Sequence, residues 1–151
     1  MTPTSTRRRQ QPGWSDVAFV PGPVTVEVPA TSANLGPGYD CLGLALELSD
    51  VLVGEVVAEG LEVSVEGEGE GLPRDESHLV VRAMRAAFEE MGEQPAGLRL
   101  SCTNRIPHSR GLGSSSAAIC AAVVAARELV VGGTDQLDDD AALALATELE
   151  G

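Results

Sequence analysis

The 151-residue chain contains no lysine; all ten of its basic residues are arginine. A phosphate loop of the G-x-x-x-x-G-K-[ST] kind is thereby excluded. Aromatic residues make up only 3% of the chain, so a core must come mainly from Ala, Val and Leu. Cysteine is scarce as well. Cys41, Cys102 and Cys120 are odd in number and far apart, which gives no disulfide framework and no metal-ligand spacing. A reducing, cytoplasmic setting is the simplest that fits them. No apolar run reaches the roughly 18 residues needed to span a bilayer, so no membrane segment is expected. Positive charge is also short: the formal net charge is −13, which argues against nucleic acid or an anionic membrane as the main partner.

What is present reads as one globular domain, with 43% hydrophobic and 22% charged residues. Residues 1–23 carry Arg7, Arg8 and Arg9 with no apolar stretch behind them. That is not a secretory signal, and a disordered tail is expected there. The fold is expected to begin after the Pro/Gly cluster at 20–24 and to fill residues 24–151. Val24, Val26 and Val28 alternate as a half-buried strand that Pro29 should stop. "LALEL", "VLVGEVV" and "LEVSVEG" read as separate strands, and residues 66–76 as an acidic, glycine-rich loop. Helical spacing over 77–92 predicts a helix capped by Ser77 and stopped at Gly92. A strand at 98–102, a helix from about Ser114 to Val131 and a last helix over 138–150 complete an α+β order.

The chemistry concentrates in "IPHSRGLGSSSAA", residues 106–118. Gly111 and Gly113 allow close backbone approach to a ligand. Ser114, Ser115 and Ser116 open a helix, where unpaired N–H groups and the dipole favour an anion. A dinucleotide fingerprint would need a third glycine where Ser116 stands, and a nucleophile elbow would need a glycine closing the serine run. Physics alone therefore points to a phosphate site, with a serine N-cap after a glycine turn as the alternative left open.

These residues resemble the P-x-x-x-G-L-G-S-S-A motif of the GHMP kinases. "SANLGPGYD" (32–40) resembles the S-A-N-x-x-x-G-F-D motif of the homoserine kinases within them, and "TELEG" (147–151) is similar to their G-E-L-E-G segment. Ser109, Tyr39 and Ser116 are mild departures from the family pattern. The resemblance implies the GHMP kinase N-terminal domain, a ribosomal-protein-like α+β fold with a left-handed βαβ unit. It implies ATP and Mg2+ as cofactors and ATP-dependent phosphorylation of the L-homoserine hydroxyl, in threonine biosynthesis. Carried over by position, Pro107, His108, Ser109, Arg110, Gly111, Leu112, Gly113, Ser114, Ser115, Ser116 and Ala117 wrap the ATP phosphates. Ser115 and Glu148 match the magnesium positions, and Asn34 and Asp40 those that orient homoserine, with no strong general base. Family members run well past this length, so the sequence reads as a truncated N-terminal portion that is inactive alone. A homodimer is a further expectation, as is His78 lying near the adenine. Another GHMP kinase, or a non-catalytic nucleotide-binding fragment, is the alternative reading.

Overall fold

The computed structural model describes residues 19–151 with the exception of Glu93. Strands β1 (Val24–Ala33), β2 (Gly43–Val57) and β3 (Gly60–Gly67) are followed by helix α1 (Leu79–Glu90) and strand β4 (Gly97–Asn104). Helices α2 (Ser114–Leu129), α3 (Gly133–Gln136) and α4 (Asp139–Glu150) complete the chain. The sheet order is β1-β2-β4-β3. β1 and β4 both run antiparallel to β2, while β3 and β4 are parallel and joined through α1 as a βαβ unit.

One sheet face is apolar and covered. Leu52, Val65, Leu98, Leu100 and Cys102 join α1 and α2 in a single buried cluster. The alternate residues face water, where Arg99 bridges Glu62 at 2.8 Å and Glu55 at 3.1 Å on its two neighbouring strands. This in–out alternation is the usual solution for a sheet with one solvated face. Helix α2 lies innermost. Ala117, Ala121, Ala122, Ala125 and Ala126 are all buried, and their small side chains allow the close packing that a core poor in aromatics requires.

Several expectations are corrected. Pro29 does not end β1; the register slips between Pro29 and Thr31 and the strand continues to Ala33. β1 is an edge strand, so proline's missing N–H costs no ladder bond on its outer side. The two expected strands across residues 44–57 are one, because Ser49 and Asp50 between them are buried with partners. Ser49 Oγ donates to Glu27 on β1, and Asp50 is bonded as described below.

Helix α1 is capped by His78, not Ser77: Nδ1 of His78 accepts from the Val80 N–H at 3.2 Å. Ser77 instead donates its backbone N–H and its hydroxyl to Asp75 Oδ1, an Asx turn that competes with capping. Gly92, at φ +97°, does end that helix. Residues just before β1 also touch the helical layer. Val20 N–H donates to Leu129 O at 2.8 Å, and the Phe19 ring stands edge-on to Phe88 with centroids 5.9 Å apart. Residues 1–18, including Arg7, Arg8 and Arg9, lie outside the described residues. Among those described, no helix is long and apolar enough to cross a membrane.

Candidate functional site

β4 ends at Asn104, and the chain crosses residues 105–113 to reach α2. Fully buried Ile106 roots this loop, together with Ala30 and Ala117, in a small apolar cluster of its own. Asp50 Oδ1 accepts the backbone N–H groups of Arg105 at 2.6 Å and Ile106 at 2.8 Å. At the far end Thr31 N–H donates to Leu112 O at 3.0 Å.

Ser109, Gly111 and Gly113 have φ of 57°, 72° and 71°. Gly113 is the N-cap of α2, and no side chain caps that helix. The serine-cap alternative is thereby set aside. The Ala117 N–H reaches Gly113 O at 2.8 Å, so the N–H groups of Ser114, Ser115 and Ser116 precede the intrahelical ladder. A helix start of this kind carries partial positive charge and free donors, which is the chemistry of an anion site.

The loop opens on a cavity of about 550 Å³ bounded by Leu72 and Pro73 from the acidic loop, by His78, Asp50 and Asn104, and by the first turn of α2. Of the sequence-expected nucleotide residues, His108, Ser109, Gly111, Leu112, Gly113, Ser114 and Ser115 line it. Pro107, Arg110, Ser116 and Ala117 do not; Ala117 is buried beneath the loop and Arg110 is exposed. Asn104 and the acidic loop are stitched together by Glu68 N–H to Asn104 O and Asn104 Nδ2 to Glu68 O. The His108 ring reaches that loop as well, since a Cβ on Gly69 would fall 2.8 Å from His108 Cε1.

Ser115 Oγ donates to Glu150 Oε1 at 2.7 Å. Ser115 and Glu148 are the residues expected at the metal, and the carboxylate that meets Ser115 here is that of Glu150. Two positions along a helix turn the side chain through about 200°, so Glu148 and Glu150 face different ways, and both are exposed. Arg127 Nη1 bonds Asp139 Oδ1 at 2.7 Å, which fixes the other end of α4 against α2 and sets its phase.

His78 is 4% exposed, and its Nε2 has no hydrogen-bond partner among the described residues. Burial lowers its pKa, with Asp75 opposing. Since Nδ1 accepts from Val80, the neutral ring carries its proton on Nε2.

Asn34 and Asp40 both sit in the left-handed region, at φ 57° and 64°, in the turn that joins β1 to β2. Asn34 Oδ1 accepts the Asp40 N–H at 3.3 Å, and both side chains are exposed. Sequence reasoning missed Asp50, Asn104 and Glu150. Only Asp50 carried a signal, as a carboxylate in step with core-facing Leu52.

The family profile described as "GHMP kinases N terminal domain" matches residues 78–151, from the His78 cap through the loop to the end of α4. Over these residues the chain matches the GHMP kinase N-terminal domain. It is 62% identical over 135 residues to the homoserine kinase of Streptomyces coelicolor, covering 89% of this chain and 44% of that protein. It is 58% identical over 128 residues to the homoserine kinase of Corynebacterium jeikeium, covering 84% and 41%. The crystal structure of homoserine kinase from Cytophaga hutchinsonii superposes with a TM-score of 0.71 at 28% identity, over 95% of this chain and 44% of that one. Mevalonate kinase from Methanococcus jannaschii, at 16% identity and a TM-score of 0.63 over 85% of this chain and 46% of that one, shares the fold. The chain thus spans about 44% of the length of the homoserine kinase from Streptomyces coelicolor.

Proposed function

We propose that this chain takes part in ATP-dependent phosphorylation of the side-chain hydroxyl of L-homoserine, giving O-phospho-L-homoserine for threonine biosynthesis. The observation that carries the reading is the start of α2: a left-handed Gly113 cap with no side-chain bond, serine N–H groups free, open to the cavity. Anionic phosphate oxygens complement those donors without any lysine. The high identity to homoserine kinases supports homoserine over other GHMP substrates.

The donor set beside the loop fits magnesium. Ser115 Oγ and Glu150 Oε1 are both oxygens, adjacent, on exposed side chains, and magnesium prefers a few such ligands completed by water and phosphate oxygens. Among the described residues no group of three or more His, Cys, Asp or Glu side chains could hold a metal. The cation would therefore belong to the nucleotide as much as to the protein. When bound, it supplies charge neutralisation to the phosphoryl group. In this reading Glu150 takes the place first given to Glu148.

The chain's own contribution is positioning. Loop N–H groups hold the phosphates, Asn34 orients the neutral hydroxyl, and the Asp40 carboxylate holds the ammonium group. The three free cysteines suit a cytoplasmic protein. Calorimetric titration with magnesium–ATP, followed by a panel of homoserine, mevalonate and galactose, tests the assignment. Absence of nucleotide binding refutes it, and a preference for mevalonate or galactose refutes the substrate. Nucleotide binding with no binding of any of the three would leave the binding-fragment alternative in place of a catalytic one.

A further inference from the structure

We propose that Asp50 is a positioning residue that hangs the nucleotide loop from the β1–β2 hairpin and so aligns it with the Asn34–Asp40 turn. The inference rests on the reading of that loop as the ATP site and deepens it.

Asp50 stands opposite Val28 on the covered face of the sheet, in step with Leu52 and Gly54. It is a carboxylate at a position built for an apolar side chain, and it is only 9% exposed. A buried charge persists where hydrogen bonds compensate it. Here the compensation is one oxygen, Oδ1, taking two consecutive backbone N–H groups of the loop's entry, Arg105 and Ile106. Charge-assisted bonds of this kind are stronger than neutral ones.

The loop's exit is fastened to the same hairpin through Thr31 N–H and Leu112 O. Between the two fastenings, Ile106 and Leu112 pack with Ala30, Val28 and Leu46 of the hairpin, apart from the main core. The loop and the hairpin therefore form one body. The same hairpin carries Asn34 and Asp40 at its turn. Asp50 also lines the cavity, so a change in its bonds is felt where the nucleotide is read to sit.

The test compares wild type, Asp50→Ala and Asp50→Asn, using magnesium with a non-hydrolysable ATP analogue as probe. In Asp50→Ala, amide exchange at Arg105 and Ile106 should quicken by roughly tenfold or more. Affinity for the analogue should fall by about the same factor. Analogue-induced shifts of the Asn34–Asp40 amide resonances, present in wild type, should vanish. Asp50→Asn keeps an Oδ1 acceptor and should recover part of each effect, a rescue that a merely structural role would not produce in affinity. It also carries the test alone if the alanine variant does not fold. Wild-type-like affinity in a folded variant overturns the inference while leaving the nucleotide site standing. Failure of the wild type itself to bind the analogue overturns the underlying reading instead, and the inference with it.

Discussion

Gly113 is required twice over, and its replacement by alanine separates the two reasons. Its φ of 71° lies where an L-residue is strained, at a cost of roughly 1–2 kcal/mol. An added Cβ would also fall 2.5 Å from Thr31 Oγ1, on a strand that cannot retreat without disturbing the Leu112 bond. Overpacking of that order costs about 1–3 kcal/mol. Gly113→Ala should therefore destabilise the chain by roughly 2–5 kcal/mol in urea unfolding. Gly111→Ala is the control, because its φ is 72° but nothing lies within 4 Å of its added Cβ. It should cost only the strain, about 1–2 kcal/mol. Thr31→Ala placed in the Gly113→Ala background removes Oγ1 and should return most of the difference. Equal losses for the two glycine variants, or no recovery on removing Oγ1, would refute the packing argument.

Glu150→Gln should weaken magnesium-dependent nucleotide affinity by about tenfold, with Glu148→Gln near wild type in the same titration; the reverse order would restore Glu148 to the site. Below pH 6.5 the unfolded chain protonates its histidines, whereas burial keeps the folded pKa of His78 lower. Stability should accordingly fall as pH drops from about 6.5 toward that lower value. A His78→Asn variant retains an N-cap acceptor and should lose that part of the slope in melts from pH 8 to 5. Cys102, buried with its thiol pKa pushed up to about 11, should resist a thiol reagent at pH 8 that labels exposed Cys41; labelling at equal rates would show that β4 opens readily. Tyr39, Leu42 and Leu44 are 65%, 59% and 53% exposed around one turn. Light scattering should show concentration-dependent association that Leu44→Glu reduces, and a monomer at all concentrations would exclude the homodimer.

The three longer helices, though not the short α3 or the His78 cap, the glycine loop and the final acidic cap were legible because their signals are local. Apolar spacing, Asp138 before an alanine-rich run and two glycines before three serines act within a turn or two of chain. The extent of the strands was not legible in the same way. Whether Pro29 ends a strand depends on β1 lying at the sheet's edge, and whether Ser49 and Asp50 interrupt β2 depends on partners supplied from β1 and from the loop after β4. The family and its loop were determined by the sequence itself, since backbone N–H groups at a helix start need only glycine, serine and the turn they force. Tertiary structure decided which carboxylate meets Ser115 and what holds the loop in place. The first follows from the phase at which α4 packs on α2, and the second from a bond spanning 55 residues between Asp50 and Arg105. Neither phase nor long-range pairing is encoded in any short stretch of residues; both exist only once the layers have closed.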